Sequence, residues 1–258
     1  MTLRVNLNAD LGEGFGAYDI GDDTAMLSLV KSANVACGFH AGDPLVMQRV
    51  VMAAKQQHVS VGAHPGFNDL WGFGRRPMTM KPVEVEYLVA YQIGALQAMA
   101  CYAGLPVTHV KAHGALNNLA ADDLDLALAI GRAIKTVDRR LIHVALANSK
   151  MEQAARELDL PVAREAFVDR HYEDDGNLSS RRHPDAVIKD PDLAAQRAVA
   201  MVRDQAVVAR SGKVIPTPID TLCVHGDEPT AVAVARAARE ALLNAGIEIV
   251  PLPDLPLS

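Results

Sequence analysis

The chain has 258 residues, of which 50% are hydrophobic and 22% are charged, a balance typical of folded proteins that excludes a disordered one. Its formal net charge is −6 and no basic run is longer than a pair, so we expect neither nucleic-acid binding nor attraction to an anionic membrane surface. No linker-like or low-complexity segment divides the sequence, which predicts one domain over residues 1–258.

Short strand-like runs alternate with helical patterns along the chain. Strands are predicted near 4–8, 32–37, 59–63, 107–112, 141–147, 161–167, 220–224 and 247–250. Helices are predicted near 23–30, 44–57, 82–103, 120–137, 149–158, 191–210 and 229–244. Such alternation indicates right-handed βαβ units around a parallel sheet.

Two features bear on the cellular setting of the chain. The stretch 87–110 carries no Asp, Glu, Lys or Arg, but Gln92 and Gln97 interrupt it and Gly104 and Pro106 end it. It therefore predicts a buried helix and no membrane segment. The amino-terminal residues show no apolar signal region. The three cysteines are odd in number and lack a C-x-x-C spacing, so we expect reduced thiols and a cytoplasmic location.

The predicted strands have one polar and one apolar face. In the first strand Asn8 and Asp10 alternate with apolar residues, and in the fourth Lys111 stands between His109 and His113. Because side chains alternate along a strand, each polar set lies on one face. An open doubly wound sheet would be apolar on both faces. The pattern instead predicts a closed (β/α) TIM-like barrel with a polar lumen and helices outside.

Four histidines follow predicted strands and lie close to glycine. They are His40 in CGFHAGD, His64 in GAHPG, His113 in KAHGA and His225 in VHGDEP. We expect them to meet at the carboxyl ends of the barrel strands, called the rim below, where β/α barrels carry their active sites. Strand parity places Asn34 on the same face as His40, and Glu165 on the same face as Asp169.

The acidic residues near these strand ends fall into two groups. Asp43 and Asp227 each precede an apolar-periodic helix with a nearby proline, so both are predicted to cap a helix, although a capping side chain can also face the rim. Asp10 and Glu13 have no helix directly behind them. Either could serve as a general base or bind a cation.

Two long loops and one lysine supply the positive charge. The loops 64–78 and 169–184 exceed the length that a βα connection needs, as active-site lids often do, and they carry the arginine pairs Arg75–Arg76 and Arg181–Arg182. Arginine forks suit phosphate or carboxylate groups. Lys111 lies inside a strand on the polar face, so it must be paired or functionally tuned, and it could hold an anionic oxygen of a substrate.

Six ordered blocks resemble one known family. The chain is similar to the 5-oxoprolinase A-subunit family, the LamB/YcsF-type proteins, through NADLGEGFG, SANVACGFHAGDP, GAHPGFNDLWGFGRRPM, VKAHGALNN, REAFVDRHYEDDGNLSSR and CVHGDEPTAV. The family usually has proline and tyrosine where this chain has Ala112 and Asn117, and commonly a small residue at His171. These departures bear on the fit of the substrate.

The resemblance implies a barrel of the glycoside hydrolase/deacetylase type. It implies ATP-dependent opening of the 5-oxo-L-proline lactam to L-glutamate, in a complex with subunits B and C. The expected cofactor is ATP with Mg²⁺, and no structural metal is expected. Whether the chain also forms a homo-oligomer is left open. The predicted catalytic residues are Asp10, Glu13, His40, His64, Lys111, His113, Glu165 and His225. Substrate or phosphate binding is predicted for Asn8, Asn34, Arg75, Arg76, Asp169, Arg181 and Asp227.

Within that set the roles are hypotheses. Asp10 or Glu13 would act as base or hold a cation, and the histidines would orient groups and transfer protons. Lys111 and the arginines would bind anionic oxygens. Two other functions stay open: a metal-dependent deacetylase or amidohydrolase working alone, with Asp10, His40 and His64 around a divalent ion, and a lactam-binding subunit without catalytic activity.

Overall fold

The computed structural model describes residues 2–180, 183, 185–226 and 229–257. The strands are β1 (Arg4–Leu11), β2 (Ser32–Ala36), β3 (Ser60–His64), β4 (Val107–Lys111), β5 (Ile142–Leu146), β6 (Val162–Phe167), β7 (Ala206–Val208), β8 (Val214–Pro216), β9 (Thr221–Val224) and β10 (Glu248–Ile249). The helices are α1 (Asp23–Leu27), α2 (Pro44–Gln56), α3 (Pro82–Ala103), α4 (Gly114–Asp122), α5 (Leu124–Asp138), α6 (Lys150–Glu157), α7 (Pro191–Asp204) and α8 (Ala231–Asn244).

Seven parallel strands close into a barrel. The order is β1, β2, β3, β4, β5, β6 and β9, and β9 pairs again with β1. Helices cover the outside, so the predicted (β/α) barrel is confirmed. The predicted strand near 247–250 is present as β10, but it pairs only with Arg4 and Val5 of β1 and stands outside the ring.

The lower lumen is filled by an apolar cluster and by polar side chains that bond one another, because Asn6 donates to the Ser32 hydroxyl over 2.8 Å and accepts from the Thr221 hydroxyl over 2.8 Å. Ile142 and Val144 of β5 and Ala163 of β6 form a small core with Leu252 near the carboxyl end of the described chain. The backbone N–H of Leu252 also donates to the Ser32 hydroxyl over 3.2 Å. Because this end of the barrel is filled, the polar side chains higher in the lumen face the rim.

Capping residues set the boundaries of several helices. Asp43 caps α2 as predicted: its carboxylate accepts the backbone N–H groups of Leu45 and Val46, and Pro44 occupies the first turn. The helix predicted over 120–137 is confirmed for 124–137, but its continuity and its start were wrong. The chain forms α4 and α5 there because the carboxylate of Asp123 accepts backbone N–H groups at the start of α5 and begins a new helix.

The prediction of a helix over 191–210 was also wrong beyond residue 204. Gln205 adopts a left-handed conformation with φ of 48°, which ends α7. The next residues form the antiparallel pair β7–β8, which sequence periodicity did not reveal because each strand has only three residues.

Helix α3 contains most of the uncharged stretch 87–110. It buries one face, with Val89 and Ile93 in the core, and exposes Tyr87 and Tyr91 on the other, so it lies at the surface and is only half-buried. Among the described residues, no helix combines the length and apolar character needed to cross a membrane.

The buried side chain of His143 makes no hydrogen bond within the described part of the chain. His143 lies on β5 beside Val110, on the strand face opposite the lumen, and neither of its ring nitrogens has a hydrogen-bond partner in the described part of the chain. Burial lowers the pKa of His143 to about 4. The folded protein therefore holds this imidazole neutral, whereas the unfolded chain protonates it near pH 6.5.

We expect His143→Leu to raise the free energy of unfolding and to flatten its pH dependence. The depressed pKa means that the stability associated with neutral His143 is complete above about pH 6.5 and is lost as the pH falls toward 4, by up to about 3 kcal/mol. Urea unfolding at pH 7.5 and 4.5 measures this difference. His58→Asn, at an exposed position, is the control. An equal acid sensitivity in wild type and His143→Leu contradicts the assignment.

Candidate active site

The ammonium group of Lys111 is buried in the upper lumen among four partners. Its Nζ atom lies 3.0 Å from Asp10 Oδ1, 3.0 Å from Glu165 Oε1, 2.9 Å from Cys223 Sγ and 3.4 Å from Asn8 Oδ1. These partners come from β1, β6 and β9, and Lys111 from β4. The lysine therefore connects four of the seven barrel strands.

The charges of this group follow from burial and proximity. Burial opposes ionisation of Asp10, but His64 and Lys111 outweigh it and hold the pKa of Asp10 well below its ordinary value. Burial also disfavours the Lys111 ammonium, yet Asp10, Cys223 and Glu165 raise the pKa of Lys111 well above its ordinary value. Burial raises the pKa of Glu165, only partly offset by Lys111. The resident pair is thus the Asp10 carboxylate with the Lys111 ammonium.

Amide side chains form hydrogen bonds that fix the positions of these charged groups. Asn34 donates to Asn8 Oδ1 over 2.7 Å and to Asp10 Oδ1 over 2.9 Å. Asn8 donates to Glu165 Oε1 over 3.0 Å. His109 Nε2 lies 3.1 Å from Asn34 Oδ1, and burial lowers the pKa of His109 to about 3, so it acts as a neutral donor. Both amides are thus hydrogen-bonded within the lumen.

A second group lies beside Asp10. Glu13, His40, His64 and His113, called the histidine cluster below, each offer one ligand atom, and these atoms lie within 4.8 Å of one another. The four side chains come from the ends of β1 to β4 and the loops that follow them. The rings of His40 and His113 stack in parallel with centroids 3.7 Å apart. Burial, then the neighbouring histidines, lower the pKa of His40 and of His113 well below their ordinary values.

A histidine–aspartate pair faces the cavity from β9. Asp169 accepts the backbone N–H of His225 over 3.0 Å and lies 2.9 Å from its Nδ1 atom. Burial disfavours the Asp169 carboxylate, but the interactions with His225 outweigh this and lower the pKa of Asp169. Because the carboxylate accepts from Nδ1–H, the Nε2 atom of His225 is left for another partner. Phe167 stacks on the ring with centroids 5.3 Å apart.

A cavity of about 530 Å³ lies at the rim, and these groups line it or stand behind its wall. Six of the predicted site residues line it: Asp10, His64, Arg75, Lys111, His113 and His225. Five others stand behind them, and each contacts a lining residue: Asn8, Glu13, Asn34, Glu165 and Asp169, while His40 stacks on His113. Two of the three residues that depart from the family pattern, Ala112 and Asn117, also line the cavity.

The two arginines of the first pair have different surroundings. Arg75 lines the cavity, and its guanidinium lies 4.9 Å from the ring centroid of Phe73. Arg76 forms an ion pair with Asp69, whose carboxylate also accepts the N–H of Gly72. The predicted residues Arg181 and Asp227 lie outside the described residues, so their roles stay predictions.

Sequence reasoning missed several contributors to this cavity. The carbonyl oxygen of Phe73 accepts from His113 Nε2 over 2.8 Å, and a backbone atom leaves no side-chain signal in a sequence. Arg170 lines the cavity and donates to the Ser179 carbonyl oxygen over 2.6 Å. It immediately follows Asp169 in the long loop 169–184, where the Arg181–Arg182 pair was the more visible signal.

The histidine cluster has the composition of a metal site. Three imidazoles and one carboxylate are ligands that suit a divalent transition-metal ion. The expectation of no structural metal is therefore not supported. The predicted trio of Asp10, His40 and His64 shares two histidines with the cluster but lacks His113 and has Asp10 in place of Glu13. Asp10 Oδ1 accepts from Lys111 and Asn34 instead.

Comparisons with known proteins agree with this description. The model of the LamB/YcsF family matches residues 5–256. A protein of Rhodopseudomonas palustris described as the A subunit of 5-oxoprolinase is 57% identical over 250 residues, covering 96% of this chain and 98% of its own length. The crystal structure of a lactam utilization protein from Thermus thermophilus is 47% identical and covers 97% of this chain and 100% of its own, with a TM-score of 0.92.

A more distant structure shares the fold alone. The catalytic domain of a peptidoglycan N-acetylglucosamine deacetylase from Eubacterium rectale has a TM-score of 0.56 at 10% identity, covering 100% of this chain and 92% of its own. The barrel is thus of the type found in such deacetylases.

We expect Lys111→Met to destabilise the fold by about 3–5 kcal/mol at neutral pH, because it leaves the Asp10 and Glu165 carboxyl groups buried without a counter-charge. The deficit should shrink as the pH falls, since both carboxyl groups then take up protons. Urea unfolding between pH 5 and 8 measures it. Arg132→Met, which removes the half-exposed partner of Glu86, should cost less than about 1 kcal/mol. Similar losses of unfolding free energy in the two variants would contradict the role of Lys111 as a buried counter-charge.

Proposed function

Since this chain belongs to the LamB/YcsF family, we propose that it is the lactam-opening subunit of an ATP-dependent 5-oxoprolinase. The reaction converts 5-oxo-L-proline to L-glutamate and ATP to ADP and phosphate. Relatives described as the A subunit of 5-oxoprolinase, together with a structure described as a lactam utilization protein, support this assignment. Because these relatives are named as one subunit, their name implies a complex, and we propose that subunits B and C complete it.

The observation that carries the proposal is the position of Lys111 in the cavity. Its ammonium lies at the floor of a cavity of about 530 Å³, with the histidine cluster on one side and the Asp169–His225 pair also on the wall. The site thus presents a buried ammonium group together with several imidazoles, of which burial lowers the pKa of His40 and of His113. A lactam needs both, because its oxygen gains negative charge and its nitrogen gains a proton when the ring opens.

The chemistry follows from the weak reactivity of an amide. Transfer of the γ-phosphoryl group of ATP to the lactam oxygen makes the carbonyl carbon more electrophilic. Water then adds to that carbon, the C–N bond breaks as the nitrogen takes a proton, and a second water releases phosphate. We assign Lys111 and Arg75 to the anionic oxygens, because both are cationic and line the cavity.

Proton transfer falls to His225 in this proposal. Its Nδ1 atom is held by Asp169, so Nε2 can accept a proton from water and return it to the lactam nitrogen. Asp10 is less suited to that task because its pKa lies well below the ordinary value, which makes it a weak base. Asp10 instead fixes Lys111 and approaches His64 Nε2 over 3.4 Å.

ATP with Mg²⁺ is the proposed cosubstrate, and we propose that the partner subunits supply most of the contacts to the nucleotide. The Gly-rich stretch 12–16 matches neither a P-loop nor a dinucleotide fingerprint. We propose a cytoplasmic complex, where ATP is available and where the three cysteines, which are all free, stay reduced.

The deciding experiment is a glutamate-release assay with 5-oxo-L-proline. We expect release only when ATP and the candidate subunits B and C are present with this chain. The chain alone with ATP, and the full set without ATP, are the controls. Glutamate formation without ATP would replace the proposal with an amidohydrolase that works alone, a second candidate favoured by the histidine cluster. Binding of the lactam without turnover in any mixture would indicate a non-catalytic binding subunit.

We expect Asp169→Asn to lower kcat by about 10²–10⁴ with little change in KM, because the amide no longer fixes the Nδ1–H tautomer of His225. The matched control is Asp122→Asn, a cavity-lining aspartate whose carboxylate accepts from Asn177 and, within the described part of the chain, contacts no imidazole. Its kcat should stay within about threefold of wild type. Both values come from the reconstituted assay, and equal effects of the two substitutions would contradict the role of His225.

A further inference from the structure

Two carbonyl oxygens determine which nitrogens of the histidine cluster carry protons. His64 Nδ1 lies 2.7 Å from the carbonyl oxygen of Lys111, and His113 Nε2 lies 2.8 Å from that of Phe73. A carbonyl oxygen only accepts, so each of these nitrogens must carry the hydrogen. In the neutral rings, the lone pairs therefore sit on His64 Nε2 and His113 Nδ1.

Those two lone pairs face each other. His64 Nε2 and His113 Nδ1 are 3.0 Å apart, a hydrogen-bonding distance with no hydrogen between them when both rings are neutral. Two facing lone pairs repel, and Asp10 Oδ2, which lies 3.4 Å from His64 Nε2, adds negative charge at the same point. A cation held between the nitrogens converts this repulsion into attraction.

The remaining members of the cluster show which cation fits. Glu13 Oε1 lies 3.4 Å from His40 Nε2 and 3.6 Å from His113 Nδ1, so a carboxylate faces the same space. A single proton can be shared by only two of these atoms, whereas a metal ion can use all four. In addition, metal-binding histidines characteristically donate their other N–H to a backbone carbonyl, as His64 and His113 do.

From this geometry we infer that Glu13, His40, His64 and His113 bind one divalent transition-metal ion, of the zinc class in ligand preference. Three imidazoles and a carboxylate suit Zn²⁺, Co²⁺ or Mn²⁺ better than Mg²⁺ or Ca²⁺, which prefer all-oxygen sites. His40 is the adaptable ligand, because its Nδ1 atom has no hydrogen-bond partner among the described residues and no carbonyl fixes its tautomer.

Such an ion would lie beside the substrate cavity, since His64 and His113 line it. There it supplies a Lewis acid for a carbonyl oxygen or for water. The inference rests on the four side chains and holds whether or not the chain opens a lactam.

Metal binding can be measured without an activity assay. The purified full chain is stripped with a chelator and titrated with Co²⁺, followed by visible absorption and calorimetry. We expect one Co²⁺ per chain, displaced by Zn²⁺, and an affinity at least about tenfold lower in Glu13→Gln and in His113→Ala. His58→Asn, at an exposed position outside the cluster, should bind as wild type does. Circular dichroism verifies folding, and the near-isosteric Glu13→Gln remains decisive if His113→Ala unfolds.

Two results would overturn the inference. One is a folded wild-type chain that binds neither ion stoichiometrically, including the case in which NMR shows a proton shared by His64 and His113. The other is equal Co²⁺ affinity in Glu13→Gln and His58→Asn. If the chain binds no metal but still releases glutamate in an ATP-dependent manner, only this inference is rejected. Metal binding without glutamate release in any reconstitution rejects only the proposed function.

Discussion

The buried ammonium of Lys111 is the interaction on which the upper barrel depends. An unpaired charge in that position would cost several kcal/mol, so the fold must bring counter-charges and acceptors to it. Asp10, Glu165, Cys223 and Asn8 meet this need from three other strands. Because successive side chains on a strand point to opposite faces, a shift of one residue in any register would move a partner to the outer face. The charge thus specifies the register of the barrel as well as the chemistry of its cavity.

The position of the cavity follows from the unequal filling of the lumen. At one end, leucines near the carboxyl end of the described chain pack on β5 and β6 and exclude water. Above them, the amides of Asn8 and Asn34 satisfy one another and the carboxyl groups of Asp10 and Glu165. Among the described residues, Asp10, His64, Lys111, His113 and His225 line the cavity above these amides. A seven-stranded ring is narrow enough for side chains to fill it to this height, which leaves the strand ends and their loops to form the site.

Much of this arrangement could be predicted from the sequence, because strands have a period of two. The alternation around Asp10 and Lys111 predicted a polar lumen, and the four histidines that follow strands predicted a rim site; three of these histidines line one cavity, and His40 stacks on His113 behind it. The local signals failed where the deciding contact is long-range or belongs to the backbone. Nothing in the adjacent pair Arg75–Arg76 reveals that Asp69 engages the second arginine. Likewise, the carbonyl oxygen of Phe73 that orients His113 is invisible until loop 64–78 is folded.

The site separates its titratable groups by environment. Asp10 and Glu165 both lie 3.0 Å from Lys111, yet the pKa of Asp10 is lowered and that of Glu165 is raised. At Asp10 the interactions with His64 and Lys111 outweigh the effect of burial on the pKa, whereas at Glu165 the interaction with Lys111 offsets only part of it. The histidine cluster extends the same logic, because burial and mutual repulsion keep His40 and His113 neutral, and neutral imidazoles are the form that binds a cation or accepts a proton. Fixed charge on one wall and neutral bases on the other thus arise from a single cause, the exclusion of water from the upper lumen.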